Sequence, residues 1–388
     1  MKRSTIFVLG LLALSCAGVG FAACGSSDSA TPSEDAGGGV TVLPDGAVVL
    51  PDGATVPPDG ATLPDGAVIL PDGAIVEDGG DDSGGGGNDA GDSGNDGGGG
   101  NDAGPGTSQS CNGLGNTCGG AGDCCASAQV PGGTFNRSND AQYPATVAAF
   151  KLDVYEVTVG RFRNFVNAGK GTQASPPAAG DGAHPLIANS GWQSAWNAQL
   201  ATNTSALKGA LKCLAGYPAW TDTAVGNETK PINCATWYEA FAFCAWDGAR
   251  LPTEAEWNFA AAGGSEQRMY PWGNTIDLTR ASYDCRGDNS AKGQCAFTDL
   301  LPVGSKPAGD GKWGHKDLGG NVWEYVLDVY REPYRLTTCA NCADLQAGTN
   351  RAFRGGGFPN EEFYLVNNAR IGDPPIDRDY DVGIRCAR

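Results

Sequence analysis

Cysteine is the residue type with the most chemistry open to it in this sequence. The chain has 14 cysteines but only 2 histidines, so a metal centre built on three histidines is excluded. Twelve cysteines lie between residues 111 and 388, and Cys339 and Cys342 are the only pair in Cys-x-x-Cys spacing. That spacing suits a redox or copper-binding pair, and equally a disulfide that closes a short loop.

The N-terminus predicts export. Met1-Lys2-Arg3 is basic, and the apolar stretch after it is too short and too rich in Gly and Ala for a membrane span. Phe21-Ala22-Ala23-Cys24 resembles a bacterial lipobox, in which the cysteine is lipidated and becomes the new N-terminus. Cys16 is a competing site, and an ordinary signal peptide cut after Ala23 is the simpler alternative. We expect residues 1–23 to be a lipoprotein signal and Cys24 to anchor the protein to the outer membrane or cell surface of the bacterial envelope.

An even number of cysteines in an exported domain indicates disulfides. Cys111, Cys118, Cys124 and Cys125 lie in a glycine-rich segment with few apolar residues, so we expect 111–129 to be stapled by disulfides. A zinc site built from these four thiolates is the alternative.

An acidic arm separates the anchor from the rest of the chain. Residues 25–110 contain 16 acidic residues, no Lys or Arg, and 23 of the 60 glycines. Pro-Asp-Gly units recur through residues 43–79, and each unit favours a turn. Low hydrophobicity combined with unbalanced charge predicts that 24–110 is a disordered spacer.

The remaining part is close to neutral. The net charge of the whole chain is −18, whereas residues 111–388 contain 28 acidic and 24 basic residues. A chain this acidic repels phosphate backbones, so we expect no nucleic-acid partner.

Helix signals and short strands alternate in the globular part. Val130 to Phe135 and Ala145 to Val157 have the pattern of strands, and Thr158 is expected to cap a helix that ends near Asn167. Capping boxes at Thr236 and Thr253 begin two further helices. The sequence therefore predicts an α+β domain rich in loops.

An ordered set of motifs resembles the formylglycine-generating enzyme family, also called the sulfatase-modifying factors. The resemblance covers about residues 130–388, and it implies the family's variant of the C-type lectin fold. The motifs are Pro231-Ile232-Asn233, Trp237-Tyr238-Glu239-Ala240, Trp246-Asp247-Gly248-Ala249-Arg250-Leu251-Pro252-Thr253-Glu254-Ala255-Glu256-Trp257, Tyr270-Pro271-Trp272-Gly273, Gly319-Gly320-Asn321-Val322-Trp323-Glu324, Arg354-Gly355-Gly356 and Gly383-Ile384-Arg385-Cys386.

The resemblance implies copper chemistry at a place where this chain departs from the family. Active members hold copper(I) with two cysteines just after the Arg-Gly-Gly motif, flanked by a serine, and oxidise a cysteine of a sulfatase to formylglycine. Here the serine position falls on Gly357, and the two cysteine positions fall on Asn360 and Leu365. Neither a carboxamide nor an alkyl group replaces a thiolate as a copper(I) ligand, so we do not expect copper.

The family's calcium loop is better retained. The resemblance assigns as ligands the Asp317 carboxylate, the backbone carbonyls of Gly320 and Val322, and the Glu324 carboxylate, a set of oxygens that suits Ca²⁺. The alternative is that Glu324 caps a backbone group or pairs with an arginine. A second calcium loop maps to about 282–297, where its side-chain ligands are replaced.

The resemblance also implies a disulfide between Cys244 and Cys386. Cys213 with Cys234, and Cys285 with Cys295, would complete a fully paired set.

These observations predict a tethered family member that binds or assembles other molecules, with a peptide or glycan as its ligand. The alternative is a divergent exported oxidase or tailoring enzyme of the same family that acts on peptides. Glu361 and Glu362 could serve as acid or base beside the family site, although a solvated acidic loop is the simpler interpretation.

Overall fold

The computed structural model describes residues 108–115 and 117–388, together with ten residues between 41 and 76. The described residues fall into two units, divided after residue 98. The signal segment and Cys24 lie outside the described residues. None of the helices in the described part of the chain is long and apolar enough to cross a membrane.

The described residues of the first unit form five strands of two residues each, in apolar segments that adjoin the Pro-Asp-Gly repeats of the sequence. Three strands pair antiparallel in the order β1-β2-β3, and β4 pairs antiparallel with β5. The strands are Thr41–Val42 (β1), Val48–Val49 (β2), Thr55–Val56 (β3), Val68–Ile69 (β4) and Ile75–Val76 (β5).

The second unit has four α-helices, and the three that the sequence predicts are confirmed. They are Val159–Asn167 (α1), Thr204–Ala210 (α2), Trp237–Trp246 (α3) and Glu254–Ala262 (α4). Thr158 caps α1, and both predicted capping boxes form, because Thr236 and Thr253 exchange hydrogen bonds with the glutamates three residues later. The sequence analysis missed α2, which Asn203 caps.

Nine strands form three small sheets in the second unit. The sheet orders are β13-β12-β10-β14, β11-β8-β7 and β6-β9. The strands are Ser127–Val130 (β6), Gly133–Asn136 (β7), Pro144–Val147 (β8), Phe150–Asp153 (β9), Trp323–Val329 (β10), Cys339–Ala340 (β11), Arg351–Arg354 (β12), Ile371–Asp373 (β13) and Val382–Gly383 (β14).

The predicted strand over 145–157 is in fact two strands that belong to different sheets. The chain turns after Val147, and β8 pairs with β7 whereas β9 pairs with β6. The alternation of apolar residues changes phase at this turn, because Val147, Ala148, Ala149 and Phe150 are consecutive apolar residues. This change of phase is the signal of the break that the sequence analysis missed.

Six disulfides staple the domain, and all twelve cysteines between 111 and 388 take part. Cys339 and Cys342 form a loop staple, and the four cysteines of 111–129 pair with one another, so disulfides occupy the thiolates that a zinc site would need. The pairs are Cys111–Cys125, Cys118–Cys124, Cys213–Cys234, Cys244–Cys386, Cys285–Cys295 and Cys339–Cys342.

Tryptophan and phenylalanine fill a core between α1, α3 and the four-stranded sheet. Five of the nine tryptophans are fully buried, as expected for a domain with so little regular structure: Trp192, Trp220, Trp237, Trp257 and Trp323. Trp196 is only partly buried and packs at the edge of this core.

Buried ion pairs join elements that are far apart in sequence. Glu254, at the start of α4, accepts hydrogen bonds from Arg354 at 2.8 Å and from Arg370 at 2.7 Å. Burial alone would raise the pKa of Glu254, but the two guanidinium groups bring it down to about 2. This network fixes the end of β12, from which the family's site begins.

Asp328 on β10 lies beside this network without a cation of its own. Its two oxygens accept hydrogen bonds from the backbone N–H groups of Glu254 and Asp344. Burial, together with the charge of Glu254, raises the pKa of Asp328 to about 7. The folded state therefore holds this proton more tightly than the unfolded chain does, where an aspartate titrates near 4.

We expect this carboxyl to make the domain less stable as the pH rises. Its stabilising contribution is complete below about pH 4 and is lost as the pH passes about 7. Urea unfolding between pH 4.5 and 8 should show a falling free energy of unfolding, and Asp328→Asn should make that fall shallower. Asp222→Asn, at an exposed pair with Lys212, is the matched control and should leave the slope unchanged. An unchanged slope in Asp328→Asn would contradict the assignment.

Candidate functional site

The family's site begins at a turn of two glycines after β12. Gly355 and Gly356 have φ values of 104° and 76°, which side chains other than glycine rarely adopt. The Arg354 side chain before them is fully buried and held by Glu254. The backbone after them is joined to the Gly319–Asn321 loop, because Gly320 donates to the Gly355 carbonyl and Phe358 donates to the Asn321 carbonyl.

Asn360, at the first cysteine position, is part of the framework of this turn. Its side-chain oxygen accepts hydrogen bonds from the indole N–H of Trp323 at 2.7 Å and from the backbone N–H of Gly357 at 2.8 Å. Its backbone closes the same turn, since its N–H donates to the Gly357 carbonyl. Gly357, at the serine position, contributes only backbone. The carboxamide is therefore engaged in holding the loop.

Leu365, at the second cysteine position, is a core residue. It is 1% exposed and packs in a small cluster with Tyr270, Ala281 and Tyr283. The three mapped positions thus supply a backbone turn, a structural carboxamide and an apolar side chain. None of them offers a nucleophile or a soft metal ligand.

The acidic residues next to this turn face solvent. Glu361 and Glu362 are exposed, and Phe363 beside them is 53% exposed. Lys292, the nearest cation on the 285–295 loop, is paired with Asp284. This arrangement agrees with a solvated acidic loop at Glu361 and Glu362. The buried carboxylate beside the turn is that of Asp284, whose N–H donates to the Asn360 carbonyl and whose side chain is paired with Lys292.

The loop to which the resemblance assigns calcium ligands lies beside the same turn. Glu324 accepts from the Arg385 guanidinium, with its Oε1 2.6 Å from Nη2, and its Oε2 accepts from the indole N–H of Trp257 at 2.7 Å. Asp317 receives one backbone N–H, from Gly304. Burial raises the pKa of Asp317 to about 6.

A third carboxylate that the sequence analysis missed completes this group. Glu156 is fully buried and accepts from the Asn321 side chain at 2.7 Å and from the Val322 N–H at 3.2 Å. Burial, together with the charges of Asp317 and Glu324, raises the pKa of Glu156 well above its usual range. The sequence signal that could have identified Glu156 is its place among apolar residues just before the helix cap Thr158.

Ionisation of all three carboxylates would give this group more negative than positive charge. Glu156, Asp317 and Glu324 interact with one another, and Arg385 is the only cation that offsets them among the residues the structure describes. Two excess negative charges in a buried place favour either protons or a bound cation. No set of three His, Cys, Asp or Glu side chains in residues 117–388 is arranged to hold a metal, and the family's loop would use only two carboxylates with two carbonyls.

The mapped second calcium loop is held together by its own residues. The Cys285–Cys295 disulfide closes it, and the Ser282 hydroxyl donates to the Asp299 carbonyl at 2.6 Å. Asp288 accepts from the Ser290 N–H, and its hydrogen bonds hold the pKa of this carboxyl at about 2.

Comparison with known proteins identifies the family. The model of the sulfatase-modifying factor enzyme 1-like domain matches residues 121–388. The mouse formylglycine-generating enzyme is 26% identical over 290 residues, which cover 66% of this chain and 73% of that protein. The mouse protein named inactive C-alpha-formylglycine-generating enzyme 2 is 29% identical over 282 residues, covering 68% and 85%.

The solved structure of PvdO from Pseudomonas aeruginosa aligns with a TM-score of 0.47 and 21% identity, over 68% of this chain and 94% of that one. With its mixed helices and sheets and its disulfides, the domain has the α+β formylglycine-generating-enzyme variant of the C-type lectin fold. This chain belongs to the family of the sulfatase-modifying factor enzyme 1-like domain.

Proposed function

We propose that this protein is a surface-anchored family member that binds or assembles other molecules and does not oxidise cysteine with copper. The observation that carries the proposal is the role of Asn360 and Leu365, one holding the turn and the other packed in the core. Copper(I) needs two soft ligands that can approach one another, and the twelve described cysteines are all committed to disulfides.

Membership of the family does not decide whether this chain is an enzyme. One protein of similar identity is named a formylglycine-generating enzyme and another is named its inactive counterpart. The residues at 357, 360 and 365 therefore carry more weight than the level of identity. Peptides and glycans are the ligand classes that we expect, as stated from the sequence.

Counting free thiols tests whether the protein can bind copper(I). The protein for this test is secreted as residues 25–388 and therefore lacks Cys16 and Cys24. We expect no reactive thiol in denaturant without reductant, no retained copper(I), and no oxygen consumption with a Cys-x-Pro-x-Arg peptide. The double variant Asn360→Cys with Leu365→Cys should gain two thiols and bind one copper(I), because it restores both soft ligands. Asn360→Cys alone is the matched control and should not.

Two reactive thiols and one bound copper in the unaltered protein would overturn the proposal. Oxygen consumption without copper would instead support the divergent oxidase or tailoring enzyme.

We further propose that Cys24 carries the lipid anchor. Cys24→Ser should move the protein from the membrane fraction to the soluble fraction and abolish labelling by a fatty-acid analogue, since acyl chains supply the membrane affinity. Cys16→Ser is the control and should change neither. Membrane retention and labelling of Cys24→Ser would contradict the assignment.

Calcium is our proposal for the cation that offsets the buried carboxylates. The Asp317 and Glu324 carboxylates and the carbonyls of Gly320 and Val322 would hold it, and Glu324 would share its charge between the ion and Arg385. The role of the ion there is to neutralise charge and fix the loop, which stabilises the folded state by mass action.

Chelation should therefore lower the thermal midpoint. At pH 7, calcium at 100 times its dissociation constant would add about 2.7 kcal/mol, equivalent to several degrees in the midpoint. Asp317→Asn should abolish the calcium response in thermal unfolding, whereas Asp277→Asn, at an exposed pair with Arg280, should keep it. No shift with millimolar calcium, or an equal shift in Asp317→Asn, would refute the proposal.

A further inference from the structure

A cavity of about 520 Å³ lies at the opposite end of β12 from the glycine turn. It is lined by the segment 187–196 and by the segment 335–351. This volume is in the range of small-ligand sites. Arg351, the first residue of β12, forms part of its wall.

Arg351 presents a cation without a counter-charge. Its guanidinium lies 3.8 Å from the centre of the Trp237 ring and 5.8 Å from that of Trp196, and its Nη1 donates to the Leu327 carbonyl at 2.9 Å. Among the described residues, no carboxylate makes an ion pair with it. Burial lowers the pKa of Arg351 to about 10, so the group stays charged at neutral pH.

The acids closest to the cavity are already engaged. The Asp344 carboxylate accepts from Arg331 at 3.1 Å and from Arg335 at 2.9 Å. Asp328 accepts two backbone N–H groups, and its raised pKa weakens its negative charge at neutral pH. The cavity wall is therefore positive, although the whole chain has a net charge of −18. A single anionic group would balance it.

Apolar side chains form one part of the remaining cavity wall, and side chains with amide groups form another part. Ile187, Leu345 and the half-buried Trp196 provide an apolar surface. Gln193 and Gln346 are exposed and carry amides, which both donate and accept hydrogen bonds as a peptide backbone does.

We propose that this cavity binds the C-terminal carboxylate of a peptide whose last side chain is apolar. The carboxylate pairs with Arg351, the last side chain lies against Trp196 and Leu345, and the last peptide groups meet the glutamine amides. A sulfate or phosphate ion would leave the apolar wall uncovered, and an acidic sugar would place hydroxyl groups against it.

The inference does not depend on the proposed function. Arg351 begins β12 and Gly357 lies beyond its other end, so the state of the copper positions leaves this cavity unchanged. A peptide site here would be compatible with both binding and enzymatic roles.

The test is calorimetric titration of the purified protein with acetyl-alanyl-leucine and with the C-terminal amide of the same peptide. We expect the free acid to bind at least tenfold more tightly than the amide, because only the acid supplies the missing negative charge. Arg351→Met, which removes the guanidinium but keeps a long unbranched side chain, should remove this preference.

A second variant tests the inference while leaving Arg351 and its packing unaltered. Gln346→Glu has the same size and places a carboxylate in the wall, so it should weaken binding of the free acid at least tenfold. Gln294→Glu, at an exposed position outside the cavity, is the matched control and should bind as the unaltered protein does.

Equal binding of acid and amide, no binding at 10 mM, or an unaffected Gln346→Glu would overturn the inference. Tighter binding of glucuronate or inorganic sulfate than of the peptide acid would overturn it as well.

Discussion

The buried pair of Arg385 and Glu324 is the interaction on which the other elements of this domain depend. The guanidinium also donates to the backbone carbonyls of Asp153 and Val154 on one side and of Lys316 on the other. Glu324 in turn holds the indole of Trp257 on α4. One ion pair thus fixes the C-terminal segment, β9, β10 and α4 against one another. Removing either partner would leave a buried charge uncompensated, at a cost of about 3–5 kcal/mol.

The same central strand connects this pair to the family's site. β10 begins with Trp323, whose indole holds Asn360, and β10 pairs with β12, which leads into the glycine turn. A second buried network, in which Glu254 pairs with Arg354 and Arg370, fixes the residue that precedes the turn. The loop that bears the copper chemistry in active relatives is therefore rigid here for reasons that do not involve copper.

Charge is distributed unevenly inside the domain. Three buried carboxylates around Asp317 face one guanidinium, that of Arg385, whereas the guanidinium of Arg351 makes no ion pair with a described carboxylate. Each place includes a residue of the sheet β13-β12-β10-β14, namely Glu324 on β10 and Arg351 on β12. The carboxylates around Asp317 are buried, so charges interact more strongly there than at the surface.

The sequence by itself determined the features that depend on neighbouring residues. Thr158, Thr236 and Thr253 begin their helices as predicted, since a cap and its partner lie within four residues. The motif order identified the family, and the composition separated the acidic arm from the globular part. Tertiary structure alone decided which polar and charged groups meet: Glu156 accepts a hydrogen bond from Asn321, and Glu254 pairs with Arg370, in each case more than 100 residues away. The pairing of β8 and β9 with different strands and the cavity at Arg351 also needed the fold, because strand pairing and cavity walls are contacts between distant segments that local patterns do not specify.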